Sequence, residues 1–379
     1  MVESIYLDHA ATTPVHPEVR QAMMACLEGS FGNPSSVHRV GRSAKQQLEQ
    51  ARSIVAKAIG ARDSEIIFTS GGTESDFLAL TGILLGGQAR HLVTTSIEHH
   101  AILHTCDWLS SQGCEVTYVP PEKDGRVCAK RILDSIQPDT GLVSVMWVNN
   151  ETGAVQPIAA LADALRNSSV YLHTDAVQAV GSLSVNVKDT PVAALSLSGH
   201  KIFGPKGVGA LYLRTDTPFR SMIRGGAQEK NRRAGTENLA GIIGLARAIE
   251  LADKEREARE QIVLGYRERF LHHLVRELDG ISDHSAPVYT GHILNIAFFG
   301  VPSETLLMAL DLEGVFASAG SACTAGSVEP SHVLLAMGFS QDEVRSSVRF
   351  SFSPFQTRQE VDQAAAIVCK TVKRLRHNR

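Results

Sequence analysis

The sequence predicts an α/β protein: a mostly parallel seven-stranded sheet covered by helices, with a smaller α/β unit beside it. Three observations carry this. Seven apolar, strand-like runs alternate with helical patterns between about Glu65 and Arg214. A long, charge-rich helical pattern follows, from Gly241 to Leu278. Beyond about Ile281 comes a second, shorter series of strands and helices.

The elements follow in chain order. Ala44, Leu48, Ala51, Val55 and Ile59 recur at helical spacing, with Lys45, Gln46, Glu49 and Arg52 elsewhere, so an amphipathic helix opens the chain's core. The strand-like runs are Glu65–Thr69, His91–Thr95, Glu115–Val119, Leu142–Trp147, Val170–Thr174, the run ending at Ser198, and Gly209–Leu213. Near-continuous apolar strands separated by helices imply a sheet covered on both faces. Ligands of such sheets sit at the carboxyl ends of the strands. The Gly241–Leu278 pattern reads as a helix bridging two units, and the smaller unit holds Ile293–Phe298, Ser303–Glu313, Val348–Ser351 and Arg358–Leu375.

Composition bounds the function. The 379 residues are 43% hydrophobic and 20% charged, as in an ordinary globular protein, and a net charge of -3 argues against a general nucleic-acid or anionic-membrane binder. No apolar run reaches membrane-spanning length, and Met1 to Ser4 begin no signal peptide, so a cytoplasmic location is expected. The six cysteines form no C-x-x-C pair and no zinc-spaced cluster, so no metal is expected in the protein alone. Most are read as small buried apolar residues, with Cys323 the exception.

The strand ends carry the chemistry. Lys201 follows the strand ending at Ser198, between Gly199-His200 and the Gly204-Pro205 turn. An amine held in a dry, cationic pocket loses its proton readily and forms a Schiff base with an aldehyde, of which pyridoxal phosphate is the obvious one. The bland alternative is a lysine lining a surface loop. Thr69–Ser75 contains a Gly71-Gly72 turn opening a helix at Thr73, a cup for phosphate, or simply a helix capped by Thr73. Asp175 ends another strand and would pair with a pyridinium N–H, or cap a helix; Gln178 lies one turn on, placed for a ring oxygen. In Glu98-His99-His100, one histidine would stack on the ring and handle protons. Asn149-Asn150 offers amide donors, or makes an Asn-rich turn. Each signal is modest alone. Five strand ends supplying a phosphate cup, a stacking ring, an amide, a carboxylate and a lysine for one cofactor outweigh the bland alternatives taken one at a time.

Two more motifs lie in the C-terminal part. Ser318–Ser327 is a run of small residues around Cys323, which suits an accessible thiol that must travel, or a tight packing segment. Arg349 stands inside an apolar strand and needs a carboxylate from the protein or from a substrate.

With these residues in view, the chain resembles a cysteine desulfurase of the NifS/IscS-like branch of the class-V aminotransferase, fold-type I family, nearly end to end. The resemblance rests on Tyr6–Pro14, Phe31–Ser35, the Gly71–Ser75 cup, Glu98-His99, Asn149–Glu151, Asp175 with Gln178, Ser198–Lys201, Arg233–Asn238, Ser321–Thr324 and Arg349. The long small-residue loop resembles the branch whose catalytic cysteine is mobile. The resemblance implies that the enzyme takes sulfur from L-cysteine, giving L-alanine and a persulfide on Cys323, with selenocysteine lyase or aminotransferase as the alternatives. It implies Cys323, Lys201 and His99 as catalytic residues. It assigns the cofactor to Gly72, Thr73, His99, Asn150, Asp175, Gln178, Ser198, His200 and Lys201, and the substrate carboxylate to Asn33, Asn150 and Arg349. Thr236 would reach the phosphate of a second subunit in a homodimer. The implied division is a large unit, 15–257, and a small one built from 1–14 and 258–379. The sulfur would pass to an iron–sulfur scaffold, where Cys323 could transiently ligate a cluster, or to a tRNA-thiolating enzyme. The chain ends at Arg379 without the C-terminal segment certain members use to dock a scaffold, which leaves the acceptor open.

Overall fold

The structure is a computed structural model that describes residues 4–320 and 330–377. Its strands are β1 (Ile5–Tyr6), β2 (Ile66–Thr69), β3 (His91–Thr95), β4 (Glu115–Val119), β5 (Thr140–Ser144) and β6 (Tyr171–Asp175). They continue with β7 (Ala194–Ser198), β8 (Gly209–Leu213), β9 (Ile281–Asp283), β10 (Ile293–Phe298), β11 (Val315–Phe316) and β12 (Ser347–Ser351). Seven of them form the main sheet in the order β2-β8-β7-β6-β5-β3-β4. Only β8 runs against its neighbours, so the carboxyl ends of the other six share one edge. The predicted mostly parallel, seven-stranded sheet is therefore found.

The strands alternate their side chains between two cores, as a pleated sheet requires. Ile66, Phe68, Val143 and Tyr212 enter one hydrophobic cluster; Ile67, Leu142, Leu211 and Leu213 enter the other. The amphipathic helix is present as Arg39–Ala58, burying Ala44, Leu48, Ala51 and Val55 on the first face. Helices Gly72–Gly86 and His100–Ser111 cover the second. A third cluster lies around the three-stranded antiparallel sheet β12-β10-β9, joining Ile5 and Leu7 to Phe270, Phe298, Phe350 and Val368. The long helix Leu239–Glu277 spans both regions: Leu245 and Ile249 pack in the first cluster, Phe270 and Leu274 in the third.

One expected strand ends early. The run Leu142–Trp147 is regular strand only to Ser144. Beyond it, the Met146 N–H donates to the Glu98 carboxyl group, at 3.0 and 3.1 Å, instead of to a neighbouring strand. A side chain thus replaces the ladder on that side alone, for the Val145 and Trp147 N–H groups still donate to the His173 and Asp175 carbonyls of β6 at 3.1 and 2.8 Å.

Arg52 is the principal buried cation of the large sheet's flank. Its Nη1 and Nη2 donate to Glu229 Oε2 and Oε1 at 2.7 and 2.9 Å, and Nη1 also donates to the Ile66 carbonyl at 3.0 Å. Glu229 Oε2 further accepts from the Phe68 N–H at 3.0 Å. The pair pins the loop leading to Thr236 against β2. Arg52→Ala leaves the Glu229 carboxylate buried without its cation, so a loss of about 3–5 kcal/mol in unfolding free energy is expected. Urea denaturation checks it: the midpoint falls with little change in slope. A midpoint within error of the wild type would show the pair to be inconsequential.

Candidate active site

The carboxyl ends of β2, β3, β6 and β7 open into a cavity of about 170 Å³. Gly72, Thr73, His99, Asn150, Asp175, Gln178, Ser198, His200, Lys201 and Arg349 all line it. Ten residues named from the sequence are thus brought together.

The phosphate cup forms as a glycine-led helix start. Helix Gly72–Gly86 begins after Gly71 with no side-chain cap, so Thr73 lies inside the helix and is not its cap. A Cβ on Gly72 would lie 2.8 Å from Val177 Cγ2, so only glycine keeps this approach open. Ser198 Oγ is buried at the same spot and meets no hydrogen-bond partner among the described residues. A buried hydroxyl without a partner is costly. A phosphate held by Ser198, Thr73 and the first N–H groups of the helix satisfies it. His200 stands beside the cup with its pKa lowered to about 4 by burial and by the Lys201 charge, so its ring is neutral.

Lys201 sits on the short turn Gly199–Lys201 directly after β7. Its Nζ donates to the Ala10 carbonyl and to the Ala11 carbonyl, the latter at 2.9 Å. Asp175 ends β6 and is 7% exposed. Burial raises its pKa to about 6, opposed by the Val177 N–H and by the Lys201 charge. No helix follows it; its Oδ1 accepts from the Val177 N–H at 2.9 Å in a turn. Above about pH 6 it is an anion at the cavity floor.

His99 caps the helix His100–Ser111, its Nδ1 accepting from the Ala101 N–H at 3.1 Å. This puts the ring hydrogen on Nε2. Burial first, then the Lys201 charge, lowers its pKa to about 4, so it enters the site as a neutral ring. Gln178 is held at both ends: Nε2 donates to the Ala10 carbonyl at 2.9 Å, and Oε1 lies 3.2 Å from His292 Nε2. The two asparagines divide their work. Asn149 is fully buried and makes the turn, its Oδ1 accepting from the Glu151 and Thr152 N–H groups. Asn150 faces the cavity.

Arg349 is 1% exposed in β12. Nη1 donates to the Asn150 carbonyl at 2.8 Å and Nη2 to Asp8 Oδ1 at 2.9 Å. Its Nε is buried with no partner among the described residues. The protein supplies one carboxylate, and a donor remains for an anionic ligand.

Three sequence-named residues stand apart. Cys323 lies outside the described residues, as do Ser321 and Thr324. Asn33 is exposed, its Oδ1 accepting from the Ser35 N–H at 2.9 Å, and does not line the cavity. Thr236 is exposed on the loop after Arg233 and does not line this chain's cavity either. That loop is tied to the cup helix, since Arg233 Nε donates to Glu74 Oε1 at 2.7 Å. Among the described residues no cysteine lines the cavity. Burial holds the Cys106 thiol up at about 12 and Cys369 at about 11. No group of histidines, cysteines and carboxylates suited to a metal occurs among the described residues.

Residue-by-residue reading missed several participants. Asp8 and the Ala10-Ala11 carbonyls bring the N-terminal segment into the site, and His292 braces Gln178 from the smaller sheet's side. Asp76 lines the cavity with its pKa raised by burial and by Asp175. Glu98, fully buried, is raised to about 8 by burial and carries a proton at neutral pH. Glu98 lies in the polar run Thr94–His100 and Asp76 directly after Thr73-Glu74-Ser75, so no local pattern signalled the burial of either.

Known proteins bear on this site. The aminotransferase class-V family model matches residues 5–364. IscS 1 of Bacillus subtilis (strain 168) is 47% identical over 99% of this chain and 100% of that protein. The cysteine desulfurase IscS of Methanosarcina thermophila is 43% identical, covering 99% of this chain and 93% of its own. Among solved structures, a NifS-like protein superposes with a TM-score of 0.92 at 33% identity, over 98% of this chain and 100% of that one. SspA, solved in complex with cysteine, gives a TM-score of 0.82 at 35% identity over 93% of this chain and 100% of its own. No helix of the described residues is long and apolar enough to cross a membrane. By family model, full-length relatives and superposed site-bearing sheet alike, the chain belongs to the class-V aminotransferase family, in its NifS/IscS-like cysteine desulfurase branch.

Proposed function

We propose that this enzyme removes sulfur from L-cysteine with pyridoxal phosphate, leaving L-alanine and a persulfide on Cys323. The observation that carries the reading is the convergence of Lys201, Asp175, His99 and the Ser198–Thr73 cup on one cavity that also holds Arg349. The donor set fits the cofactor: a partnerless hydroxyl at the cup, a carboxylate for the ring nitrogen, an amine for the aldehyde. When bound, pyridoxal phosphate supplies an electron sink for bonds at the substrate's Cα.

The chain's own residues do the rest. Lys201 Nζ would hold the cofactor's aldehyde carbon and would carry the Cα proton. Asp175, anionic above about pH 6, keeps the ring nitrogen protonated. His99 covers the ring and, being neutral, passes a proton without competing with Lys201 for charge. Arg349, with Asn150, holds the substrate carboxylate; Asn33 is proposed to join them. The Cys323 thiolate attacks the substrate sulfur; the S–S bond forms as the carbon–sulfur bond breaks, its electron pair passing to carbon. A proton then completes the methyl group of alanine. The step is redox-neutral and needs no added oxidant.

Thr236, exposed on its braced loop, reaches the phosphate of a second subunit in a homodimer. The division into 15–257 and 1–14 with 258–379 belongs to the same reading, as do a cytoplasmic location and an acceptor that is an iron–sulfur scaffold or a tRNA-thiolating enzyme. The test is product analysis of the loaded enzyme with L-cysteine. Alanine and persulfide sulfur are expected in equal amounts with no keto acid. Keto acid formation would assign an aminotransferase instead. Turnover confined to selenocysteine would assign a lyase.

A further inference from the structure

Asp76 is a carboxyl group the reaction above does not use, and it is 1% exposed. It lies one helical turn after Gly72 on the cup helix. Leu80 and Ile83 follow it on the same side, both buried in the hydrophobic cluster on the sheet's second face. The stripe that packs on the sheet thus carries a carboxyl group where it reaches the cavity.

The sheet beneath it turns polar at the same end. Ser144 pairs with His173 across β5 and β6, and Asp175 pairs with Ser196 across β6 and β7. Register partners share a face, and so do residues two apart on a strand, so all four side chains point to one side. Leu142 and Ala194, two positions back on their strands, belong to the second-face cluster, which makes this the side the cup helix covers. His173 is fully buried, with Nδ1 2.9 Å from Ser144 Oγ and Nε2 3.1 Å from Ser196 Oγ. Asp76 Oδ1 stands 3.7 Å from the same Nε2, outside hydrogen-bond reach. It is buried with no hydrogen-bond partner among the described residues.

No cation balances Asp76 there. Burial keeps His173 neutral, with its pKa lowered to about 3. Burial first, and then the Asp175 charge, raise the Asp76 pKa; the Ser196 hydroxyl opposes them and the buried Glu98 adds to them. Two buried carboxyl groups side by side do not both ionise. Asp175 has the Val177 N–H and the Lys201 charge in its favour, so the negative charge rests on it.

We propose that Asp76 is a positioning residue for Asp175: it stays a neutral carboxylic acid, gives Asp175 a hydrogen bond, and leaves the pair one negative charge, held on Asp175 for the cofactor's ring nitrogen. The proposal rests on the reading that Asp175 pairs with that nitrogen.

The test measures, by fluorescence, the dissociation constant of pyridoxal phosphate from the enzyme between about pH 5 and 8. If Asp175 binds the ring as an anion, affinity falls as the pH drops below the Asp175 pKa, which gives the profile an acid limb. Asp175→Asn lacks that limb and supplies the reference for the phosphate and every other titrating group. Asp76→Ala removes the donated hydrogen, so Asp175 takes up a proton more readily and the limb moves up by about one pH unit. Asp76→Asn, neutral and still able to donate, leaves the limb within about 0.3 unit of the wild type. An ionised Asp76 gives the opposite sign, because both variants then remove a neighbouring negative charge and move the limb down. A downward shift in either variant, an upward shift in Asp76→Asn, or an unmoved limb in Asp76→Ala overturns the proposal. A merely structural Asp76 lowers the melting temperature and leaves the limb in place. If Asp76→Ala does not fold, Asp76→Leu, which keeps the bulk without the donor, is read by the same outcomes, and any shift in Asp76→Asn still overturns the proposal. Asp175→Asn separates the two readings. If that variant keeps the acid limb, the Asp175 reading falls and the Asp76 proposal with it. If it loses the limb while Asp76→Ala leaves the limb in place, the Asp76 proposal alone falls.

Discussion

Cys323→Ala is expected to keep the absorbance of the bound cofactor and to lose persulfide formation by at least about 10³-fold, the scale of removing a covalent nucleophile. The residues proposed to hold the cofactor lie at the ends of β2, β3, β6 and β7, and none of those strands depends on this side chain. No other thiol substitutes. Among the described residues Cys26, Cys106, Cys114 and Cys369 are buried, Cys128 is partly so, and none lines the cavity. Cys106 and Cys369, with pKa values near 12 and 11, carry almost no thiolate at neutral pH. Alkylation and mass spectrometry after one turnover reads the persulfide directly. Sulfide released by the variant at the wild-type rate, without added thiol, would remove the sulfur relay from the account.

Lys201→Ala has an effect of the same order for a different reason. It takes away the amine that joins the aldehyde and the group that carries the Cα proton, so the lysine-linked absorbance disappears and the rate drops by at least about 10³-fold. His99 does not take over: its Nδ1 is occupied by the Ala101 N–H and its ring is already neutral at pH 7. Folding is expected to change little, because the ammonium's hydrogen bonds to the Ala10 and Ala11 carbonyls tie down main-chain groups of the N-terminal segment and no part of a hydrophobic core. A thermal melt of the cofactor-free protein separates the two effects. The prediction fails if Lys201→Ala retains more than about a tenth of the turnover.

The two variants divide the protein as the sequence does. The strand runs were legible because each face of a covered sheet is apolar at period two: Ile66 and Phe68 to one side, Ile67 to the other. The site was legible because every parallel strand delivers its last residue to the same edge, so a lysine, an aspartate and a glycine turn at strand ends must meet. The helix Arg39–Ala58 was legible for its stripe, and the smaller unit for its separate apolar runs.

What stayed hidden depends on partners distant in the chain. Asp8 meets Arg349 across 341 positions, and Gln178 meets His292 across 114. The early end of β5 follows from Glu98 bonding the Met146 N–H, which no local pattern signals. Asn149 and Asn150, indistinguishable as a dipeptide, are separated by which one the turn buries.

By itself the sequence determined the sheet and the lysine-bearing strand end, because periodicity and strand-end position are local properties. Only the tertiary structure decided protonation: neutral His99 and His200, a raised Asp175 and a protonated Glu98. Those depend on burial and on charges brought close from remote segments. Desolvation and Coulomb energy are functions of distance in space, which sequence separation does not measure.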